Sequence, residues 1–154
     1  MDYDLNFGFA AASQAAMVGW LALILLPRWP WMAALLRYGL IGLLSLAYAT
    51  LIFVFFFRVE GGGFDGIAEV RALFLSDPVL LAGWIHYLAF DLFVGIWIAL
   101  RADAIGLSRL LQAPILLATF MFGPVGLVLF YACQAIPVLF ALPQRNWFDV
   151  HAHA

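Results

Sequence analysis

The sequence has little charge, and lysine is missing from it altogether. Only 10% of its 154 residues are charged, while 67% are apolar, and the mean hydropathy is +1.05. A soluble domain carries about a quarter charged residues, so too few polar side chains exist here to cover a water-exposed globule. Disorder is excluded as well, because disordered chains combine low hydrophobicity with high charge. The composition therefore predicts a protein that lies within a lipid bilayer.

Residue types that would indicate other classes of protein are scarce too. The single cysteine, Cys133, cannot form an internal disulfide, and no Cys/His pair has the spacing of zinc ligands. The basic residues form no stripe, so nucleic acid is not an expected partner. The N-terminus, Met1 to Asp4, lacks the positive region of a secretory signal. We therefore interpret the first apolar run as a span that is retained.

Four apolar stretches are long enough to cross the hydrocarbon core, which takes roughly 20 residues. They cover about residues 7–26, 36–57, 79–100 and 113–142. No repeat of 20–50 residues is visible, so we predict an all-α, polytopic protein whose four transmembrane helices form a single domain over residues 1–154. Gly123-Pro124 and Pro137 predict kinks in the fourth span.

The second loop, from Arg58 to Pro78, is the only sizeable polar segment. It opens with Gly61-Gly62-Gly63, after which apolar residues recur at helical spacing through Phe74. This pattern predicts a short amphipathic helix on the membrane surface. Two interpretations stay open, a lid over an opening in the bundle and a passive connector.

Arginine counts in the short loops bear on orientation. Loops one and three carry four arginines and the other side carries three (Arg28, Arg37, Arg101 and Arg109 against Arg58, Arg71 and Arg145). This difference of one slightly favours termini outside the cytoplasm.

The third span carries the polar residues of greatest interest, His86, Tyr87 and Asp91. Ionisable groups inside a membrane are costly and usually functional. Tyr87 and Asp91, at positions i and i+4, share a face, so the phenol can hydrogen-bond the carboxyl. His86 and Asp91 are separated by about 140° around the helix axis and about 7.5 Å along it, which prevents a direct hydrogen bond on a straight helix.

Each of these residues has a purely structural alternative. His86 could be a neutral imidazole bonded to a backbone carbonyl of a neighbouring helix, and Asp91 could be a protonated carboxyl that joins helices. His86 also shares its face with Phe90, Phe93 and Trp97, a surface suited to a flat apolar ligand. One His and one Asp are too few for a metal site, and haem binding would rest on the His86 imidazole alone.

The chain resembles a known family. The run from Leu81 to His86, followed by Asp91-Leu92-Phe93, is similar to the signature of the abscisic-acid-deficient-four-like family. The similarity continues through Asp103, Arg109 and Gly123-Pro124-Val125-Gly126. In the first span, Ser13-Gln14, Trp20 and Pro27 are placed similarly. The plant members of this family are associated with neoxanthin synthesis.

The resemblance implies carotenoid chemistry. Neoxanthin formation opens a 5,6-epoxide and removes the C7 proton to leave an allene, without net redox change and without a cofactor. Such an isomerase needs an acid and a base, and Asp91 as the acid with His86 as the base would meet that need. The residues implied to bind the substrate are Trp84, Tyr87, Phe90, Phe93 and Trp97. The Phe-rich second span would add a groove for a polyene that enters from the membrane lipid.

Three classes of function compete at this point. The first is an enzyme acting on a carotenoid or another lipophilic isoprenoid, and the second is a non-enzymatic protein that binds such a molecule or scaffolds other enzymes. The third, a transporter using Asp91, is the weakest because internal repeats and paired broken helices are missing. The sequence shows no plastid transit segment and has an Arg-only, Ala/Leu-rich composition, which predicts a bacterial inner-membrane protein. The oligomeric state is not predicted.

Overall fold

The computed structural model describes residues 4–139, with side chains up to residue 135. All regular structure in this range is helical, as the sequence predicts. The helices are α1 (Leu5–Leu25), α2 (Pro30–Arg58), α3 (Ile67–Phe74), α4 (Asp77–Ala104), α5 (Arg109–Phe122) and α6 (Pro124–Leu139).

Three of these helices are long and apolar enough to cross a membrane, namely α1, α2 and α4. They correspond to the first three predicted spans. Helix α1 begins after Asp4, whose side chain accepts a hydrogen bond from the Phe7 backbone N–H at 3.0 Å, as an N-cap residue does. Helix α2 begins at Pro30, six residues before the predicted start, because proline fits the first turn of a helix.

The fourth predicted span is divided at Gly123. This glycine has φ of 50°, a region that a residue with a Cβ rarely adopts, and Pro124 begins the next helix. The resulting helices α5 and α6 have 14 and 16 residues, or about 21 and 24 Å, less than the roughly 30 Å of a hydrocarbon core. A continuous fourth crossing therefore stays a prediction, and its predicted end at residue 142 lies outside the described residues.

The chain divides into two compact units, one up to Leu92 and one from Phe93, and the single four-span domain also stays a prediction. In the first unit, α1 and the start of α4 run parallel. Gly8 lies against Leu81 and Gly19 against Leu92. Helix α2 runs antiparallel to α1, because the same Gly19 meets Leu36 near the start of α2. The shared core includes Ala12, Ala16, Leu44, Leu81, Ile85, Leu88 and Ala89.

The predicted amphipathic helix of the second loop is α3. Its Leu73 is buried next to Gly62, and Phe74 lies against Gly83 at the start of α4. At its N-terminus, the Glu69 carboxylate accepts a hydrogen bond from the Asp65 backbone N–H at 3.0 Å. This bond reaches back from the first turn as in a capping box.

In the second unit, the end of α4 packs with α5 and α6. The ring of the fully buried Phe130 meets Trp97 edge to face at 5.7 Å between centroids. Buried Gln112 donates hydrogen bonds to Asp103 Oδ1 and to the Leu107 carbonyl, both at 2.8 Å. Arg109 pairs with the same Asp103 at 3.7 Å. These contacts fix the turn between α4 and α5.

Candidate functional site

The strongest polar feature inside a spanning helix is the pair Tyr87 and Asp91 on α4. A hydrogen bond joins the Tyr87 hydroxyl and the Asp91 carboxyl, as their i, i+4 spacing predicts. Both side chains are half-buried. Asp91 Oδ2 is buried and has no hydrogen-bond partner among residues 4–139. A buried carboxyl oxygen without a hydrogen-bond partner is costly, which makes Asp91 a candidate for a functional role.

Trp84 connects this pair to α1. Its indole Nε1 donates a hydrogen bond to Ser13 Oγ at 2.9 Å, and its ring stacks on Phe9 with 5.2 Å between centroids. The same ring lies 5.4 Å from the ring of Tyr87. A continuous set of contacts therefore runs from α1 through Trp84 and Tyr87 to Asp91.

His86 belongs to a different surface of α4. Its side chain is exposed, its ring stacks on Phe90 at 4.5 Å, and it meets Tyr48 of α2 at 5.4 Å. On a regular α-helix its position lies about 140° around the axis from that of Asp91. The ring contacts of His86 are thus with Tyr48 and Phe90 and do not include Asp91.

An apolar groove of about 630 Å³ follows α1 and α2, with Leu81 and Ile85 of α4 as its floor. We call it the α1–α2 groove. This volume lies within the range of small-molecule pockets. Its walls are small residues on α1 and mostly aliphatic residues on α2 (Gly8, Ala11, Ala12 and Ala15; Leu40, Leu43, Leu44, Ala47, Thr50, Leu51, Val54 and Phe55), with Asp4 and Leu5 at one end. Thr50 already donates its hydroxyl to the Leu46 carbonyl, so the groove favours an apolar ligand.

Two further cavities contain predicted ligand-binding residues. The end cavity, of about 600 Å³, lies at the N-terminal ends of α1 and α4 and includes Trp84 with the acids Asp4 and Asp77. The α4–α6 cavity, of about 240 Å³, lies within the second unit and includes Phe93 and Trp97. Neither His86 nor Asp91 lines these cavities or the α1–α2 groove.

The comparison with protein families shows to which family this chain belongs. The model of the ABA DEFICIENT 4-like family matches residues 7–130, which is more than half of the chain. The chain belongs to this family. No curated protein and no solved structure matches it. The resemblance seen in the sequence is thereby confirmed, and the chain is a membrane protein of a family linked to carotenoid and neoxanthin metabolism.

Several residues of the ABA DEFICIENT 4-like signature have structural roles in this fold. Asp103 and Arg109 form the ion pair at the α4–α5 turn. Gly123 provides the positive φ between α5 and α6, and Gly126 lies where an added Cβ would collide with Thr119. These residues shape the chain, whereas His86 and Asp91 remain the predicted catalytic residues and Tyr87 is the hydrogen-bond partner of Asp91.

The predicted substrate-binding residues have different surroundings in this structure. Trp84 lines the end cavity and contacts Tyr87, Phe93 and Trp97 line the α4–α6 cavity, and Phe90 stacks on His86. The sequence predicts a groove at the Phe-rich second span, and the α1–α2 groove lies along this span, although Phe55 is the one aromatic residue in its lining. The small α1 residues of the other wall were not predicted, although their helical spacing was a signal. Within residues 4–139, no group of three His, Cys, Asp or Glu side chains could hold a metal ion.

Proposed function

We propose that this ABA DEFICIENT 4-like protein is an isomerase of a bacterial inner membrane that acts on a carotenoid or related isoprenoid by proton transfer at Asp91. The observation that carries the proposal is the Asp91 carboxyl. This carboxyl lies inside a spanning helix and is hydrogen-bonded to Tyr87. Its Oδ2 atom is buried and has no hydrogen-bond partner among the described residues. An apolar side chain at this position would avoid the cost of burying a carboxyl, so its presence favours a functional role.

The chemistry follows from the family's link to carotenoids. Isomerisation of an epoxide to an allenic alcohol breaks one carbon–oxygen bond and one carbon–hydrogen bond, and the oxygen gains a proton. Atoms and electrons balance without a cofactor, so the protein has to supply only a proton donor and a proton acceptor. A neutral carboxyl is suited to the first role. The proposed partners are the reacting isoprenoid and the membrane lipid that delivers it.

The resemblance implies His86 as the proton acceptor, and the position of its ring restricts that role. Its ring is engaged by Phe90 and Tyr48, about 140° around α4 from Asp91. A substrate in contact with both residues would have to extend around the helix.

The test is product formation by membranes that contain matched amounts of wild-type protein and Asp91→Asn, supplied with a carotenoid 5,6-epoxide. The amide preserves size and packing but is not a usable acid, so we expect a loss of about 100- to 10,000-fold. Asp65→Asn, an exposed acid in the second loop, is the matched control and should keep full activity. Full activity in Asp91→Asn, with both variants eluting as monodisperse protein, would remove Asp91 from the reaction.

A second candidate is a binding protein without catalytic activity, and the α1–α2 groove favours it. Ile85 in the groove floor and Asp91 are six residues apart, so they project about 120° from each other. A polyene in this groove would therefore not reach the carboxyl. Wild-type protein that is inactive but purifies with a tightly bound carotenoid would support this second candidate over the isomerase.

A further inference from the structure

We propose that Tyr87 is the positioning residue of Asp91, and that these two residues form one proton-transfer unit that works without His86. The inference rests on the proposed isomerase and identifies its second group. The sequence offered Tyr87 as a substrate contact. The structure instead gives it a place in the set of contacts that holds the carboxyl.

The contacts around Tyr87 fix its ring from one side and its hydroxyl from the other. On the ring side, Trp84 lies 5.4 Å away and is itself held by the hydrogen bond to Ser13 and by stacking on Phe9. On the hydroxyl side, the hydrogen bond reaches Asp91 one helical turn further along. A ring held in this way limits the orientations of the carboxyl, and preorganisation of this kind lowers the barrier of a reaction.

His86 has no comparable connection to the carboxyl. Its ring contacts are with Phe90 and Tyr48, and Phe90 is 58% exposed. Since neither contact leads to Asp91, loss of the imidazole would leave the orientation of the carboxyl unchanged.

One carboxyl held by one phenol is sufficient for a balanced reaction. Neutral Asp91 gives its proton to the epoxide oxygen as the carbon–oxygen bond breaks. The resulting carboxylate then accepts the proton lost from the carbon beside the ring as the allene forms, which restores neutral Asp91. Tyr87 keeps its proton throughout and donates a hydrogen bond to the carboxylate between the two transfers. Such a bond is stronger when its acceptor is charged, so it stabilises the stage at which Asp91 is ionised.

The experiment compares Tyr87→Phe with His86→Gln, using Tyr38→Phe as a control on an exposed tyrosine outside these contacts. Phenylalanine keeps the ring against Trp84 and removes only the hydroxyl, so the fold is retained. We expect Tyr87→Phe to lower kcat by about 10- to 100-fold with little change in KM, the effect of losing a hydrogen bond to a charged group. Tyr38→Phe should keep kcat within about twofold of wild type, and His86→Gln should lower kcat less than Tyr87→Phe does.

An infrared measurement makes the inference testable even without activity. The carboxyl band of Asp91 is assigned by its loss in Asp91→Asn, and it should shift in Tyr87→Phe but not in His86→Gln. If wild type is inactive while this shift occurs, the proposed isomerase fails and the positioning by Tyr87 stands. An unchanged band in Tyr87→Phe would overturn the inference. A loss of kcat in His86→Gln equal to that in Tyr87→Phe would overturn it as well.

Discussion

Gly126 offers a sharp test of how α5 and α6 pack. An added Cβ would lie 2.5 Å from the Thr119 backbone nitrogen and 2.7 Å from the Ile115 carbonyl oxygen, and it would also collide with Thr119 Oγ1. Ordinary contact begins at 3.4 Å, so the two backbone atoms are too close by about 0.9 and 0.7 Å. Backbone atoms cannot rotate away as a flexible side chain can. Gly126→Ala therefore has to push α6 away from α5.

The size of the effect follows from what this displacement disturbs. Overpacking a well-packed core costs about 1–3 kcal/mol. Thr119 Oγ1, which donates a hydrogen bond to the Ile115 carbonyl at 2.8 Å, lies in the path of the new methyl group, and losing that bond adds about 1 kcal/mol. Phe130, one turn after Gly126 and fully buried, would have to repack. We expect Gly126→Ala to lower the free energy of unfolding by about 2–4 kcal/mol.

The assay is equilibrium unfolding of the purified protein in detergent micelles. The control is Gly42→Ala on α2, where the glycine has helical φ of −58° and an added Cβ would meet nothing within 4 Å. Alanine is the better helix former by about 1 kcal/mol, so this variant should be unchanged or slightly more stable. The reasoning is refuted if the two alanine variants have the same stability, or if Gly126→Ala lies within about 0.5 kcal/mol of wild type.

Two further predictions concern topology and ligand binding. Reporter domains inserted after Gly63 and after Gly106 should report opposite sides of the membrane, because α4 is the one crossing between them; reports from the same side would contradict the assignment of α4 as a span. If the α1–α2 groove holds a carotenoid, Ala11→Trp should fill it and reduce the co-purified pigment at least about tenfold. Ala10→Trp, on an exposed neighbour outside the groove, should retain the pigment, and equal pigment in both variants would exclude the groove as the site.

Local features of this fold were predictable from the sequence. Length and hydropathy give α1, α2 and α4, because a spanning helix must satisfy all its backbone groups internally and be apolar along its length. The i, i+4 spacing of Tyr87 and Asp91 predicts their hydrogen bond, and the angular separation predicts that His86 lies apart from Asp91. These conclusions depend only on the geometry of a single helix.

Features that depend on backbone conformation or on distant residues were not predictable. Where the sequence predicts a kink at Gly123-Pro124, the structure has a complete break between two helices. The break depends on the positive φ of Gly123, which hydropathy does not predict. The hydrogen bond from Trp84 to Ser13 joins residues 71 positions apart. A single sequence does not indicate that two uncharged residues so far apart in the chain are in contact.

The side of α4 that meets α1 shows why the buried face of a spanning helix is hard to predict from its own sequence. Helix α4 is apolar around most of its circumference, so amphipathicity cannot select the face that packs, as it would in a soluble bundle. Small residues on α1 make that selection, because Ala12, Ala16 and Gly19 are all buried and allow the two backbones to approach closely. Their contacts with Leu88 and Leu92 place the Trp84, Tyr87 and Asp91 side of α4 next to α1. The opposite surface, with the exposed His86, meets Tyr48 of α2. The small residues of the partner helix, rather than the polar residues of α4 themselves, therefore determine which face of α4 is buried.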